Sequence, residues 1–162
     1  MGDIGLEQPL DRLRRVLGLE VVIDLLPDVG VRTEPAAGEE MIRFDPPLQL
    51  FERWVLTDDF ALGGVPIPRG AKIALLFGSA NRDPRVFDRP DEFDIARENA
   101  VQHIGFGGGI HVCIGAPLAR IELEASLEAL RRSWPDFRLG EEPRRTGAFV
   151  IWGLEALRLV RD

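Results

Sequence analysis

One cysteine, two histidines and a shortage of basic residues set the first limits on this chain. A lone cysteine cannot close an internal disulfide, and that usage fits a reducing cytoplasm. Against 27 Asp and Glu there are only 20 Lys and Arg, giving a net charge of -7. Phosphate backbones need a basic face, so nucleic acid is a poor partner. No apolar run approaches the roughly 18 uninterrupted residues of a membrane span. The best candidate, Val16 to Leu26, is broken by Glu20 and Asp24. The N-terminus has no basic region leading into an apolar one, so no secretory signal is visible, and there is no internal repeat or low-complexity tract. What remains is a globular composition: 162 residues, 45% hydrophobic and 29% charged, enough for one domain with a real core.

Hydrophobic spacing predicts a helix over Pro9 to Leu26, with Leu10, Leu13, Val16, Leu17 and Val21 on one side. A short helix is expected over Glu39 to Phe44, stopped by Asp45-Pro46-Pro47. Short β-like pieces come next from Leu48 to Leu76, punctuated by glycine and proline. Asn81 to Gly109 reads as a long irregular passage anchored by Phe87 and Phe93, and a loop of that length is normally functional. Ala116 to Trp134 is the clearest helix. Pro117 suits its first turn, Leu118, Ile121, Leu123, Leu127 and Leu130 recur at helical intervals, and Pro135 ends it. Phe137 to Leu159 reads as closing strands, with Ala148 to Trp152 apolar throughout, and Trp54, Trp134 and Trp152 as core.

The single cysteine, Cys113, lies within FGGGIHVCIGAPLAR, Phe106 to Arg120, just ahead of that last helix. The start of a helix offers partial positive charge and free N–H groups, which favour a thiolate. A thiolate delivered there from a glycine-rich loop can serve as an axial ligand to haem iron. Gly115 leaves room for amides near the sulfur, and Gly107, Gly108 and Gly109 let the loop pass close to a flat macrocycle. Phe106 offers an aromatic face, and His111 can donate to a propionate. Two plainer readings stand beside this one. An arbitrary lone cysteine is most often a small buried hydrophobe. Alternatively it is a reactive thiol with His111 as base, without haem.

The run Phe106-Gly107-Gly108-Gly109-Ile110-His111-Val112-Cys113-Ile114-Gly115 resembles the haem-binding signature of the cytochrome P-450 superfamily of haem-thiolate monooxygenases. APLAR is similar to the residues that come directly after the signature in the soluble bacterial branch. Upstream, Glu40-Met-Ile-Arg43 resembles the family's Glu-x-x-Arg pair, followed by the typical Phe44-Asp45-Pro46-Pro47. Asn81-Arg82-Asp83-Pro84, Phe87, Pro90, Phe93-Asp94 and Arg97 resemble the family's meander. The likeness runs from Pro35 to the C-terminus; residues 1–34 form an N-terminal helical segment without a clear match.

The resemblance implies an α+β, mainly helical fold: the C-terminal, proximal, haem-thiolate part of a cytochrome P-450, incomplete. It implies haem b bound through Cys113 as the iron ligand, with Phe106, Gly107, Gly109, His111, Gly115 and Arg53 around the cofactor. Arg53 matches a position that often binds a propionate; for a lone strand arginine the alternative is solvation. His103 is either a buried structural histidine or a propionate contact. Arg120 touches the haem or the electron donor's docking face. Glu40, Arg43 and Arg97 become a structural charge triad, although on spacing alone Glu39 could pair with Arg43 equally well, and such helix neighbours are usually worth only roughly 0.2–0.5 kcal/mol.

The activity implied is insertion of one oxygen atom of O2 into a small hydrophobic substrate. Electrons would come from NAD(P)H through a ferredoxin or flavodoxin-type donor, in the cytoplasm, with no membrane and no nucleic acid. Family members are normally more than twice this length, and the distal helix with its acid–alcohol proton relay has no counterpart here. The chain is therefore expected to be incomplete for turnover by itself. A non-catalytic haem-binding or partner-binding module is the alternative, as is a haem-free reactive-thiol protein. Without the packing partners of an intact relative, the apolar face of the last helix is expected to remain partly uncovered.

Overall fold

A computed structural model describes residues 35–133 and 137–161. Helix α1 spans Pro35–Phe44 and starts four residues earlier than the sequence spacing predicts. Pro35 fits the first helical position, where its missing N–H costs nothing, and Ala36 and Ala37 extend the turn. Its last bond runs from the Asp45 N–H to the Met41 carbonyl at 3.0 Å, and Pro46 and Pro47 then forbid continuation. Gly38 lets α1 approach the last helix closely: a Cβ there would lie 3.1 Å from Leu123 Cδ2.

The β-rich middle consists of two antiparallel ribbons. β1 (Leu50–Trp54) pairs with β4 (Lys72–Leu76), setting Arg53 opposite Ile73, while β2 (Ala61–Leu62) pairs with β3 (Val65–Pro66). Gly63 and Gly64 join β2 to β3 with φ of 58° and 80°, the left-handed pair that a two-residue hairpin turn requires. A single turn of helix, α2 (Phe77–Ala80), leads into the irregular passage. There Phe87 is fully buried, and Phe93 packs edge-on against Phe44 with ring centroids 5.5 Å apart, so both expected anchors hold. The passage ends in two short 3-10 turns, Ala100–Gln102 and Gly109–His111.

Helix α3 spans Ala116–Ser133, with Ala116 and Leu127 buried. After it, β5 (Phe137–Leu139) pairs with β8 (Leu159–Arg161), and β6 (Arg144–Arg145) with β7 (Leu154–Ala156). The architecture is thus α+β, with small separate ribbons set around α1 and α3. No helix among the described residues is long and apolar enough to cross a membrane. The expected helix over Pro9 to Leu26, and Trp134, lie outside the described residues.

Two expectations from the sequence fail. Trp54 is not core: it is 60% exposed, with the Lys72 ammonium 5.2 Å from its ring. It ends β1, and on the strand face it shares with Glu52 both side chains are exposed. The apolar run Ala148 to Trp152 does not form a regular strand; it makes one isolated bridge, Leu48 to Ile151. Bonds from Gln49 N–H to Val150 O (3.0 Å) and from Trp152 N–H to Pro47 O (2.7 Å) tie it to the segment after α1. Its side chains stay open because Ile151 faces a cavity rather than a second sheet. Trp152 is half-buried beneath the Arg145 guanidinium, 4.6 Å from its ring.

The expected uncovered face is present. Ile114 is 99% exposed, and Leu118 and Ile121 on α3 are 59% and 63% exposed, with Ile110 and Val112 also open. Contiguous apolar surface of this kind binds hydrophobic dyes. Purified chain is therefore expected to enhance fluorescence of an anilinonaphthalene dye under native conditions; a dye-silent monomer would contradict the exposure.

Candidate functional site

Two charge nodes fix the frame around Cys113. In the first, Glu40 and Arg43 are both completely buried. The Arg43 Nε donates to Glu40 Oε2 at 2.6 Å and its Nη2 to Oε1 at 2.8 Å. The remaining donors go to the carbonyls of Asn81, Pro90 and Glu92, so all five guanidinium N–H groups are used. Arg97 Nε reaches the same carboxylate at 3.1 and 3.2 Å, and its terminal nitrogens donate to the carbonyls of Asp88, Arg89 and Glu92. The Asp94 N–H adds a bond to Glu40 Oε1 at 2.9 Å. Fully paired buried charges avoid the penalty that makes isolated ones prohibitive. The triad binds the irregular passage to α1.

Glu39 belongs to the second node, which resolves the ambiguity left by spacing. Arg120 on α3 donates to it through Nε (2.5 Å) and Nη2 (2.9 Å), and His103 Nε2 lies 3.0 Å from Glu39 Oε2. Arg120 hydrogen bonding holds the Glu39 carboxyl below its ordinary range despite burial. Arg120 is thus occupied with Glu39, and its guanidinium stacks 4.8 Å from the Phe106 ring. His103 is buried and pairs with Glu39, the structural role.

The cysteine loop is then assembled bond by bond. Asn81 Oδ1 accepts the Ile104 N–H at 2.8 Å, and His103 Nδ1 accepts the Gly105 N–H at 3.0 Å. Gly105 must be glycine for packing, because a Cβ would come within 2.6 Å of Ile42 Cγ2. The chain turns at Gly107, whose N–H reaches the Ile104 carbonyl at 2.8 Å, and returns so that the Cys113 N–H donates to the Phe106 carbonyl at 2.8 Å. Gly107 and Gly109 have φ of 76° and 59°, whereas Gly108 is extended. The Ala116 N–H bonds back to Cys113 O at 3.1 Å, which starts α3 immediately after the cysteine. At Gly115 a Cβ would sit 3.7 Å from Cys113 Sγ, an ordinary contact, so room at the sulfur is not what glycine provides there.

Gly107→Ala combines a left-handed φ with a Cβ 3.0 Å from the His111 carbonyl. The substitution is expected to cost about 1–2 kcal/mol from the backbone conformation alone. Urea denaturation checks this; an unchanged midpoint would show that the turn relaxes freely.

Cys113 is a free, exposed thiol lining a cavity of about 460 Å³. Its other walls include Pro47, Leu48, Phe51, Phe77, Phe106 and Ile151, with Arg53 and His111 as the basic groups. Of the residues singled out by sequence, Arg53, Phe106, Gly107, His111 and Cys113 meet here, while Gly109 and Gly115 shape the backbone without lining it. Arg53 is held by a 2.9 Å bond from its Nη1 to the Glu52 carbonyl and lies 4.4 Å from the Phe51 ring. Sequence reasoning missed Phe51, Phe77, Leu48 and Ile151. Phe51 was within reach, since residues two apart on a strand share a face and Arg53 had already been singled out.

The Cytochrome P450 family model matches residues 35–134. The steroid C26-monooxygenase of Rhodococcus jostii is 44% identical over 122 residues, covering 75% of this chain and 26% of that protein. The methyl-branched lipid omega-hydroxylase of Mycobacterium tuberculosis is 43% identical over 124 residues, 76% of this chain and 28% of the relative. Among solved structures, cytochrome P450 CREJ in complex with (4-ethylphenyl) dihydrogen phosphate superposes with a TM-score of 0.82 at 30% identity, covering 93% of this chain and 37% of that one. Mycobacterium smegmatis CYP164A2 with econazole bound gives 0.79 at 36% identity, covering 91% of this chain and 37% of the other.

A buried Glu–Arg–Arg triad beside an open, glycine-looped cysteine on this α+β scaffold is the arrangement that the haem-thiolate resemblance implies. The chain belongs to the cytochrome P450 family. It spans about a quarter to a third of the length of the curated relatives it matches.

Proposed function

We propose that this chain is the haem-thiolate iron-binding part of a cytochrome P450 monooxygenase, with Cys113 as the metal ligand. The observation that carries the reading is the placement of Cys113: its exposed side chain opens into an apolar cavity at the start of α3, and the basic groups lining that cavity are Arg53 and His111. A flat, largely apolar macrocycle with two carboxylates suits those walls and the N–H donors of Arg53 and His111. Phe106 would lie beside the sulfur, and Gly107 and Gly109 give the loop the turns that keep bulk away from the ring. Arg53 would neutralise one propionate through charge-assisted hydrogen bonds, and His111 would donate a ring N–H to a propionate. When bound, a Cys-ligated haem supplies the electron push that favours O–O cleavage.

The intact activity belongs to the same proposal: one oxygen atom of O2 inserted into a small hydrophobic substrate. Electrons would come from NAD(P)H through a ferredoxin or flavodoxin-type donor. The monooxygenase and hydroxylase names of the relatives support it, and a single cysteine is compatible with the cytoplasm as its setting. Controlled oxygen chemistry also needs a water-excluding distal pocket and a proton relay. No described residue supplies such a relay, so turnover is assigned to this part only in company with the rest of the fold.

Titration of the purified chain with hemin, followed by reduction and carbon monoxide, tests the reading. Saturable uptake with a strongly red-shifted Soret band is expected. Absence of any uptake would leave a haem-free thiol protein.

A further inference from the structure

We propose that Glu39, His103 and Arg120 are positioning residues for the Cys113 loop, and that His103 performs this role only as the neutral ring with hydrogen on Nε2. The inference rests on Cys113 being the haem ligand and concerns how that same site is held. Both ring nitrogens of His103 are committed. Nδ1 accepts the Gly105 N–H at 3.0 Å, which requires an unprotonated nitrogen, so the hydrogen sits on Nε2 and is donated to Glu39 at 3.0 Å. Gly105 is followed directly by Phe106, whose carbonyl takes the Cys113 N–H. An unbroken series of bonds therefore runs from α1 through Glu39 and His103 into the loop and on to the cysteine backbone. Arg120 fixes the outer end, since it holds Glu39 from α3, the helix that Cys113 introduces.

Adding a proton to Nδ1 would break the series at its centre. The Gly105 N–H would lose its acceptor and face an N–H instead, while Gly105 has no space to move toward Ile42. Burial of the ring is the main thing that opposes that proton. Arg120 from α3 and Arg43 from α1 repel it, the Phe106 ring closes one side at 5.8 Å, and Glu39, itself paired with Arg120, favours it. Burial holds the His103 value below the ordinary 6.5 against the upward pull of the Glu39 carboxylate, with Arg120 and Arg43 adding smaller downward pushes. The folded state therefore prefers neutral His103. Its contribution to stability is complete above about 6.5 and is lost as pH falls through the folded value.

Amide hydrogen exchange of the full chain, read by NMR, tests this apart from any haem chemistry. Lowering the pH from about 7.5 to about 5 is expected to reduce protection of the Gly105 amide about tenfold after correction for intrinsic rates. Cys113 should follow, and the Asp45 amide at the end of α1 should not. His103→Asn keeps an oxygen near the Nδ1 position but cannot titrate, so it should retain protection and lose the pH step. His103→Gln keeps a donor toward Glu39 without that acceptor, and should leave Gly105 unprotected at both pH values. A wild-type chain in which Gly105 and Cys113 track Asp45 at every pH overturns the inference, as does an undiminished pH step in His103→Asn. If neither variant folds, the wild-type comparison alone decides. A chain with the pH step that takes up no hemin keeps this inference and loses the haem-thiolate reading. One that binds hemin through Cys113 with no pH step does the reverse.

Discussion

Cys113→Ser is expected to abolish the red-shifted Soret band of the reduced, carbon monoxide-treated chain while leaving its fold intact. The two halves of that expectation have separate causes. Sulfur and oxygen differ little in size, and the Cys113 side chain is exposed rather than packed, so no cavity or overpacking penalty arises. The backbone bonds that build the loop, Cys113 N–H to Phe106 O and Ala116 N–H to Cys113 O, are indifferent to the side chain. A serine hydroxyl, by contrast, does not ionise near neutrality and cannot donate charge to iron as a thiolate does. Hemin that still enters the variant would be held by Arg53, His111 and the apolar walls, with an unshifted Soret band. An unchanged band in the variant would remove Cys113 as ligand and with it the proposed function.

The second large effect concerns folding, not chemistry. Glu40→Gln keeps the shape of a fully buried side chain but removes the carboxylate that faces two guanidiniums. Arg43 and Arg97 would then sit as like charges in the interior, with an amide NH2 group competing for the space of their acceptor. Breaking a buried pair in this way typically costs about 3–5 kcal/mol. Whole domains are stable by only about 5–15 kcal/mol, so the variant is expected to be largely unfolded or strongly shifted in urea midpoint. The surface Asp83–Arg85 pair, with Asp83 half-buried and Arg85 exposed, provides the contrast. Its carboxyl is held down at about 2 by Arg85, yet the pair lies at the surface with Arg85 open to solvent, and Asp83→Asn should leave the midpoint nearly where it was. Equal losses in the two variants would mean that the triad is no more than a surface-type ion pair.

The distinction between these two sites also explains what could be read in advance. Cys113 with its glycines was legible because loop geometry and helix entry are local: Gly107 and Gly109 adopt the left-handed φ that glycine tolerates, and Pro117 lies in the first turn of α3. The α1 stop at Asp45-Pro46-Pro47 was equally local. Partner choice was not. Glu39 and Glu40 are adjacent and both near Arg43 along the chain, and only the approach of Arg97 on one side and Arg120 on the other separates their roles. Trp54 failed for a related reason. Hydrophobicity alone says that Trp54 gains from burial, but nothing in residues 50–54 says whether another element covers its end of the strand, and Trp54 stays 60% exposed.

By itself the sequence determined the chemistry at hand: one sulfur, delivered by a turn of glycines onto a helix start, and the α+β order of pieces that carries it. Only the tertiary structure decided which charges meet, that Arg53 and Phe51 on β1 share a cavity with Cys113, and that His103 is tied on both nitrogens between Glu39 and Gly105. Backbone preferences act over a few residues and are written in the residues themselves. Pairing of buried charges depends on elements 57 or 81 positions apart arriving at one point, and is fixed only when the whole chain packs.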